Sequence, residues 1–567
     1  MLDIRHVASI IGSHRRGGSA SSVEVKAVAA GAGTGDTGMA QQMGLGGVFV
    51  RKSSGLIRTA GSLDIFIYNL GLISVGIAIA FNQYFGPALY PGAEVISSTF
   101  IAGAGMVFIG LSFYFWSIIF PRSGGNYVYL SRSIGPMFAL PLSFLENVVE
   151  LFYSALAAFL LVTVGVGAGL GSVGLITKSD ALVNAGNWVD SPWGIFIVGT
   201  LALIIFGGIP LFGMRRFFWF QKIMMAIALG GLLITAVVLV TTDQTTFAHN
   251  FKQITGLDYN GVIAAAHKKG YQFGGYTASA TVAFMVWPLL AFLGGILSIG
   301  IGGEIKHVTR AQFVGMVGAV VAAAVAIAIV SGLANRTFGY EFQGALVFNV
   351  TADPKNSTPV APWVTLLASI AANNPVIAVI VSLTFLAWIY FWIPAELIYT
   401  QRSFLAWSFD RMAPEGLSYV SPRFHTPVVA IIITIVVAIA FLAVIAFTTL
   451  GSLVFIMGIY LSYGVTMVMG IFFPYLRPQM FDASAAARFK LGSIPVMSIV
   501  SALGAAFFAW ALWLLWNDSI AAGHNPTVLA TLGGALALGV ILYAVMYVLR
   551  RSQGIKVELA FKEIPIE

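Results

Sequence analysis

The stretch Asn69-Leu70-Gly71-Leu72-Ile73-Ser74-Val75-Gly76 sits inside an apolar run from about 64 to 90. The run is long enough to cross a bilayer, which takes about 20 mostly apolar residues. Yet two glycines, a serine and an asparagine interrupt its middle. A second run, from about 282 to 306, reads Trp287-Pro288-Leu289-Leu290-Ala291-Phe292-Leu293-Gly294-Gly295 and continues through Gly300, Gly302 and Gly303. Ten further runs of spanning length lie near 95–120, 137–170, 192–212, 216–241, 312–334, 374–400, 427–447, 450–474, 495–516 and 526–549. The interrupted runs are therefore the first and the sixth of twelve, and each opens a set of five. A break at membrane depth frees backbone N–H and C=O groups, which persist there only when something polar meets them. Paired breaks at corresponding positions of two inverted halves are one way to build a binding site at mid-membrane. Glycine in a membrane helix also simply permits close packing.

Composition agrees with a membrane protein. Of 567 residues, 58% are hydrophobic and 9% charged, against roughly 25% charged in a soluble domain. Twelve spans put both ends on one side. That side carries 24 of the 30 Lys and Arg residues and the other carries 6. The positive-inside rule makes both termini cytoplasmic, in a multi-pass protein of the cell membrane. The expected organisation is a mostly disordered cytoplasmic tail (1–62), five helices (63–242), an outer loop (243–281), five helices (282–475), two helices (476–549) and a cytoplasmic tail (550–567). Met39 and Met43 lie inside the first tail, so the chain has later possible starts. The fold expectation is all-α, with about twelve transmembrane helices, a 5+5 inverted repeat, and breaks near 71–76 and 291–295.

Several classes of chemistry are excluded. There is no cysteine, hence no disulfide or thiolate site. The seven histidines fall in tails, loops or span ends, so no metal or haem cofactor is expected in the membrane. No Gly-Lys-Ser/Thr phosphate loop is present, and no ATPase partner is required. The net charge of +8 reflects the membrane-side distribution, so no nucleic-acid partner is expected.

Four segments resemble the amino acid–polyamine–organocation permeases, the LeuT-fold amino acid transporters, over roughly residues 62–500. Ile73-Ser74-Val75-Gly76-Ile77 is similar to the family's I-G-S-G-I, with Ser74 in place of a glycine. Pro121-Arg122-Ser123-Gly124-Gly125-Asn126-Tyr127-Val128-Tyr129, then Arg132 and Gly135-Pro136, resembles P-x-S-G-G-x-Y-x-Y…R…G-P. Gly303-Glu304-Ile305-Lys306 resembles the acid–x–Lys that closes helix 6. Arg402, Ala406, Asp410, Pro414, Arg423 and Thr426-Pro427 resemble the loop between helices 8 and 9, where Arg411 replaces a glycine. Asp410 between Arg402 and Arg411 suits an ion-paired loop.

The resemblance implies an alternating-access permease and a site at the two breaks. The substrate carboxylate is expected on N–H groups near Ser74, Val75 and Gly76, since a half-helix N-terminus favours anions. The ammonium is expected on carbonyls near Gly71, Leu72, Ala291 and Phe292, with Leu293 and Gly295 beside them. Glu146, Glu150 and Glu396 lie well inside spans, where an acid is functional by default. Counting from Gly135 and Asp410 as in related permeases puts Glu150, Ser154 and Glu396 at pocket positions. They either recognise a cationic side chain, bind a proton, or make structural hydrogen bonds, with Lys222 a possible partner. The helix-5 position that holds a lysine in some relatives is Ala228. Ser382 and Thr384 are candidates for a sodium site and Glu146 for coupling. Phe292 and Tyr460 could cap the pocket, although packing is the commoner use of such aromatics. The substrate expectation is an amino acid, leaning to a cationic one or a polyamine, with H+ or Na+ as coupling ion. The alternatives are a neutral amino acid symported with protons, a nucleobase–cation symporter, and a channel or structural membrane protein.

Overall fold

The computed structural model describes residues 55–448, 455–518, 520, 523–555 and 557–561. Most of the expected tail and the first residues expected in span 10 lie outside the described residues. Twelve helices are long and apolar enough to cross a membrane. Spans 1 to 6 are Ser62–Leu89, Val95–Ile119, Pro136–Thr177, Pro192–Phe212, Met214–Thr241 and Ala278–Gly300. Spans 7 to 12 are Val308–Phe338, Pro375–Phe409, Val428–Phe447, Met457–Leu476, Val496–Asn517 and Pro526–Ser552. The sequence reading and the structure agree on every one, to within a few residues except in span 3, at the ends of spans 6 and 8 and at the start of span 10. The peripheral helices expose apolar side chains, such as Leu233, Ile541 and Val548, which suits a surface solvated by lipid tails. The loop before span 6 holds helices Gln244–Thr255 and Tyr259–Lys268. The one before span 8 holds Tyr340–Ala352 and Val364–Ala372.

Span 1 is two helices, Ser62–Ile73 and Val75–Leu89, joined at Ser74. Ser74 has φ 50° and ψ 72°, a left-handed conformation that costs a non-glycine residue of order 1–3 kcal/mol. Its hydroxyl donates to the Trp388 carbonyl at 2.8 Å. That bond holds the strained residue in place. Span 6 behaves differently. It does not open but tightens, from α-helix over Val286–Phe292 to 3₁₀-helix over Leu293–Gly300. The two irregular segments touch. A Cβ on Gly294 would stand 2.4 Å from the Leu72 carbonyl oxygen, so only glycine lets span 6 approach the turn of span 1.

Span 3 exceeds the expected length because it runs through a π-helical segment, Leu161–Gly167, into Ala168–Thr177. A Cβ on Gly167 would lie 2.0 Å from Asp190 Oδ1, and that oxygen is buried with no hydrogen-bond partner. Burial pushes the Asp190 carboxyl up to about 7, so the fold favours its neutral form. The associated stability is complete below about pH 4 and is lost as pH rises through 7. The unfolding midpoint in detergent is therefore expected to fall between pH 5 and 8, and less so in Asp190→Asn. Equal slopes in the two proteins would contradict this.

The side that carries residues 55–61 and 557–561, and with them the ends of the described chain, is sealed by cross-links. Arg132 grips Asp410, with Nη1 to Oδ2 at 2.6 Å and Nη2 to Oδ1 at 2.9 Å. Arg402 pairs with Glu304 at 2.9 Å. Asp410 thus does tie an ion pair, but with Arg132 and not with Arg402 or Arg411, and Arg411 instead meets Glu415. Backbone bridges join Ser123 to Ile301 and Ala60 to Ile305, so residues 55–61 are attached to the end of span 6. Lys222 pairs with Asp64 at 2.7 Å and has no contact with the membrane-depth acids.

Candidate functional site

Spans 1, 3, 6, 8 and 10 enclose one small cavity. Among its walls are Leu72, Glu150, Ala291, Leu293 and Glu396. The irregular parts of spans 1 and 6 and the two expected acids therefore meet in one place. Only about 20 Å³ is open to the centre of a water-sized sphere, room for roughly one water. The conformation is occluded, and a solute the size of an amino acid enters only if the walls part.

Not every expected residue reaches the cavity. Gly71, Ser74, Val75, Gly76, Ser154, Phe292 and Gly295 lie beside it and do not line it. A Cβ on Gly71 would meet the Phe391 ring at 2.3 Å, and one on Gly76 would meet Trp388 at 2.7 Å. Both glycines are packing contacts against span 8. The Ser74 hydroxyl is spent on Trp388 and its N–H on the carbonyls of Leu70 and Gly71. The N–H groups of Val75 and Gly76 start a helix and have no partner within it. The Leu72 carbonyl accepts from the Trp392 indole N–H, keeping one lone pair. The Ser154 hydroxyl ties span 3 to the Ile393 carbonyl at 3.2 Å.

The acids divide into two kinds. Glu146 is saturated: it accepts from the Tyr399 hydroxyl, from Ser462 Oγ at 2.7 Å and from Asn126 Nδ2 at 3.1 Å. Glu150 and Glu396 are poor in partners. The Tyr463 hydroxyl reaches Glu150 at 3.4 Å, and Glu396 Oε2 has no partner. The two carboxyls are close enough to share a hydrogen bond. No Lys, Arg or His lines the cavity, and neither acid has an ion pair among the described residues. Two adjacent carboxyls without a cation cannot both ionise in a dry site. They hold a proton between them or await a cation.

The remaining candidates scatter. Ser382 packs toward Gly169 of span 3 and Thr384 toward Gly231 of span 5. Each hydroxyl donates to its own helix, at Ala378 and Ile380. They form no common oxygen cage with span 1. Ser382→Ala and Thr384→Ala are accordingly expected to leave uptake in sodium and in choline buffers in the wild-type ratio; loss of a sodium effect in either would restore the sodium site. Tyr460 packs at a tilt against Phe508 of span 11, 5.3 Å between ring centres, and does not line the cavity. Residues that sequence reasoning missed include Tyr153, Ile459 and Tyr463, which line the cavity, and Asn126, Tyr399 and Ser462 around Glu146. Trp392, which belongs to the aromatic run Trp388, Tyr390, Phe391 and Trp392 that the sequence offers as a gate, lines the cavity as well. A turn-by-turn count along span 8 from Glu396 would have found Tyr399.

The family profile for amino acid permeases matches residues 61–546, from the start of span 1 to near the end of span 12. No curated protein matches the chain at a significant level. The match embraces both helix breaks, the cavity and the sealed side, so the chain belongs to the amino acid permeases of the amino acid–polyamine–organocation superfamily, a family of membrane transporters.

Proposed function

We propose that this permease carries an amino acid with a cationic side chain, or a polyamine, across the cell membrane by alternating access. The observation that carries the reading is the Glu150–Glu396 pair, which faces the helix breaks with no protein cation beside it. The α-amino and α-carboxyl groups would use the Leu72 and Ala291 carbonyls and the N–H groups at Val75 and Gly76, once the Trp388 and Trp392 side chains move. The cationic end would sit between the two carboxyls. Spans 1–5 and 6–10 would form inverted halves, and the sealed side with both termini would face the cytoplasm.

A second reading has its own observation, the juxtaposition of the two carboxyls on the wall of one small cavity. A proton shared there would accompany a neutral amino acid. Uptake into proteoliposomes of each of the twenty amino acids, of putrescine and of the purines adenine and guanine, at outside pH 5.5 and 7.5, separates the two. The first reading expects arginine, lysine or putrescine to be taken up preferentially. Preference for leucine or alanine, rising at pH 5.5, favours the second. Preference for purines would remove both.

A further inference from the structure

Glu146 lies four residues before Glu150 on span 3, about 6 Å nearer the side that carries the termini. The Tyr463 hydroxyl donates to Glu150 at 3.4 Å and also interacts with the Glu146 carboxyl. The two acids differ sharply in what surrounds them. Tyr399 from span 8, Ser462 from span 10 and Asn126 from the linker helix Gly125–Ser133 all donate to Glu146. Three donors with no competing acceptor suit a carboxylate anion. Glu150 has one long donor and a neighbouring acid. No Lys, Arg or His bonds either among the described residues.

We propose that Glu146 is the proton-accepting end of a relay from the substrate cavity, Glu150–Tyr463–Glu146, which discharges toward the side that carries the termini. The proposal rests on the reading of the Glu150–Glu396 cavity as the transport site. In the transfer, the Glu150 O–H bond breaks as the Tyr463 oxygen takes that proton. The original hydroxyl proton of Tyr463 passes to Glu146. One proton moves from Glu150 to Glu146 and one negative charge moves back. A substrate cation entering between Glu150 and Glu396 favours this step, because it replaces the proton that the pair shared.

The holders of Glu146 explain when the proton leaves. Asn126 sits between the Ser123–Ile301 bridge and the Arg132–Asp410 pair, so it belongs to the seal. Its own N–H donates to the Tyr399 hydroxyl at 3.2 Å, and its side chain also bonds Ser462 and Thr466. Parting the seal withdraws Asn126 and Tyr399 together. Water then reaches Glu146, takes the place of those donors around the carboxylate, and carries its proton away as hydronium. Substrate exit and proton exit would share one movement.

The test uses the full chain in proteoliposomes containing a luminal pH dye, supplied with a radiolabelled equimolar mixture of the twenty amino acids and putrescine. The readout is protons moved per solute moved. Glu146→Gln and Tyr463→Phe are each expected to lower that ratio at least tenfold. A merely structural role lowers both fluxes together and leaves the ratio unchanged, which would overturn the relay. Solute uptake by the unaltered protein with no proton movement would overturn it as well, while leaving the cavity reading intact. Absence of uptake of every component would instead sink the cavity reading.

Discussion

Arg132→Ala is expected to destabilise the sealed state by about 3–5 kcal/mol, the scale for removing one partner of a buried ion pair. Both side chains are almost wholly inaccessible, at 0% and 2% exposed. The guanidinium grips Asp410 through two nitrogens, and the ring of Phe561, near the end of the chain, lies 5.4 Å from its centre. Its loss removes the guanidinium that grips a buried carboxylate through both oxygens. Arg132→Lys should recover only part of the loss, because an ammonium keeps the charge but not the two-pronged geometry. A lower unfolding midpoint in detergent is one readout. The other exploits the absence of cysteine: a single cysteine placed at buried Val128 should react faster with a water-soluble maleimide in the Arg132→Ala background. An unchanged midpoint together with unchanged labelling would mean that the pair does not hold the seal.

Hydropathy made the spans legible because a spanning helix must be apolar for about 20 residues whatever its tertiary partners. It carried no information on how spans 1 and 6 break. Ser74 and Gly294 both marked irregularity, yet one became a left-handed turn and the other part of a 3₁₀ segment. The difference lies in their neighbours. Ser74 has the Trp388 carbonyl to hold its hydroxyl. Gly294 must pass within van der Waals range of the Leu72 backbone, and the narrower 3₁₀-helix keeps its own backbone groups bonded while doing so.

The site was legible in its acids and illegible in its closure. Glu150 and Glu396 were found because an intramembrane acid is rare and needs a reason. Gly71 and Gly76 suggested bare N–H and C=O groups. In the occluded conformation Phe391 and Trp388 fill the space those glycines leave. A glycine signals that something approaches closely, and sequence does not say whether it is a ligand or an aromatic ring. Asp410 shows the same limit. Arg402 and Arg411 were near in sequence, but Arg132, 278 residues away, is the partner. Ion pairing follows three-dimensional proximity, which a linear count cannot supply.

Glu150→Gln separates a cation site from a proton site more decisively than any other single change. If the substrate is cationic, the substitution removes one charge-assisted hydrogen bond. Arginine, lysine or putrescine should then bind more weakly by about 1–3 kcal/mol, roughly 5–150-fold. Leucine and alanine should be nearly unaffected, since a glutamine amide keeps the volume and can still accept a bond. Glu396→Gln should act in the same direction, and the double substitution should cost less than the sum, because the two acids touch one another and one cation. If instead the pair carries a proton beside a neutral substrate, glutamine imitates the protonated acid. Uptake of the neutral amino acid should then lose its rise at low outside pH, with affinity retained. Binding titrations and pH profiles on the same preparations distinguish these results. Normal affinity for every substrate and an unaltered pH profile in both variants would make the carboxyls structural, and the cationic reading would fall.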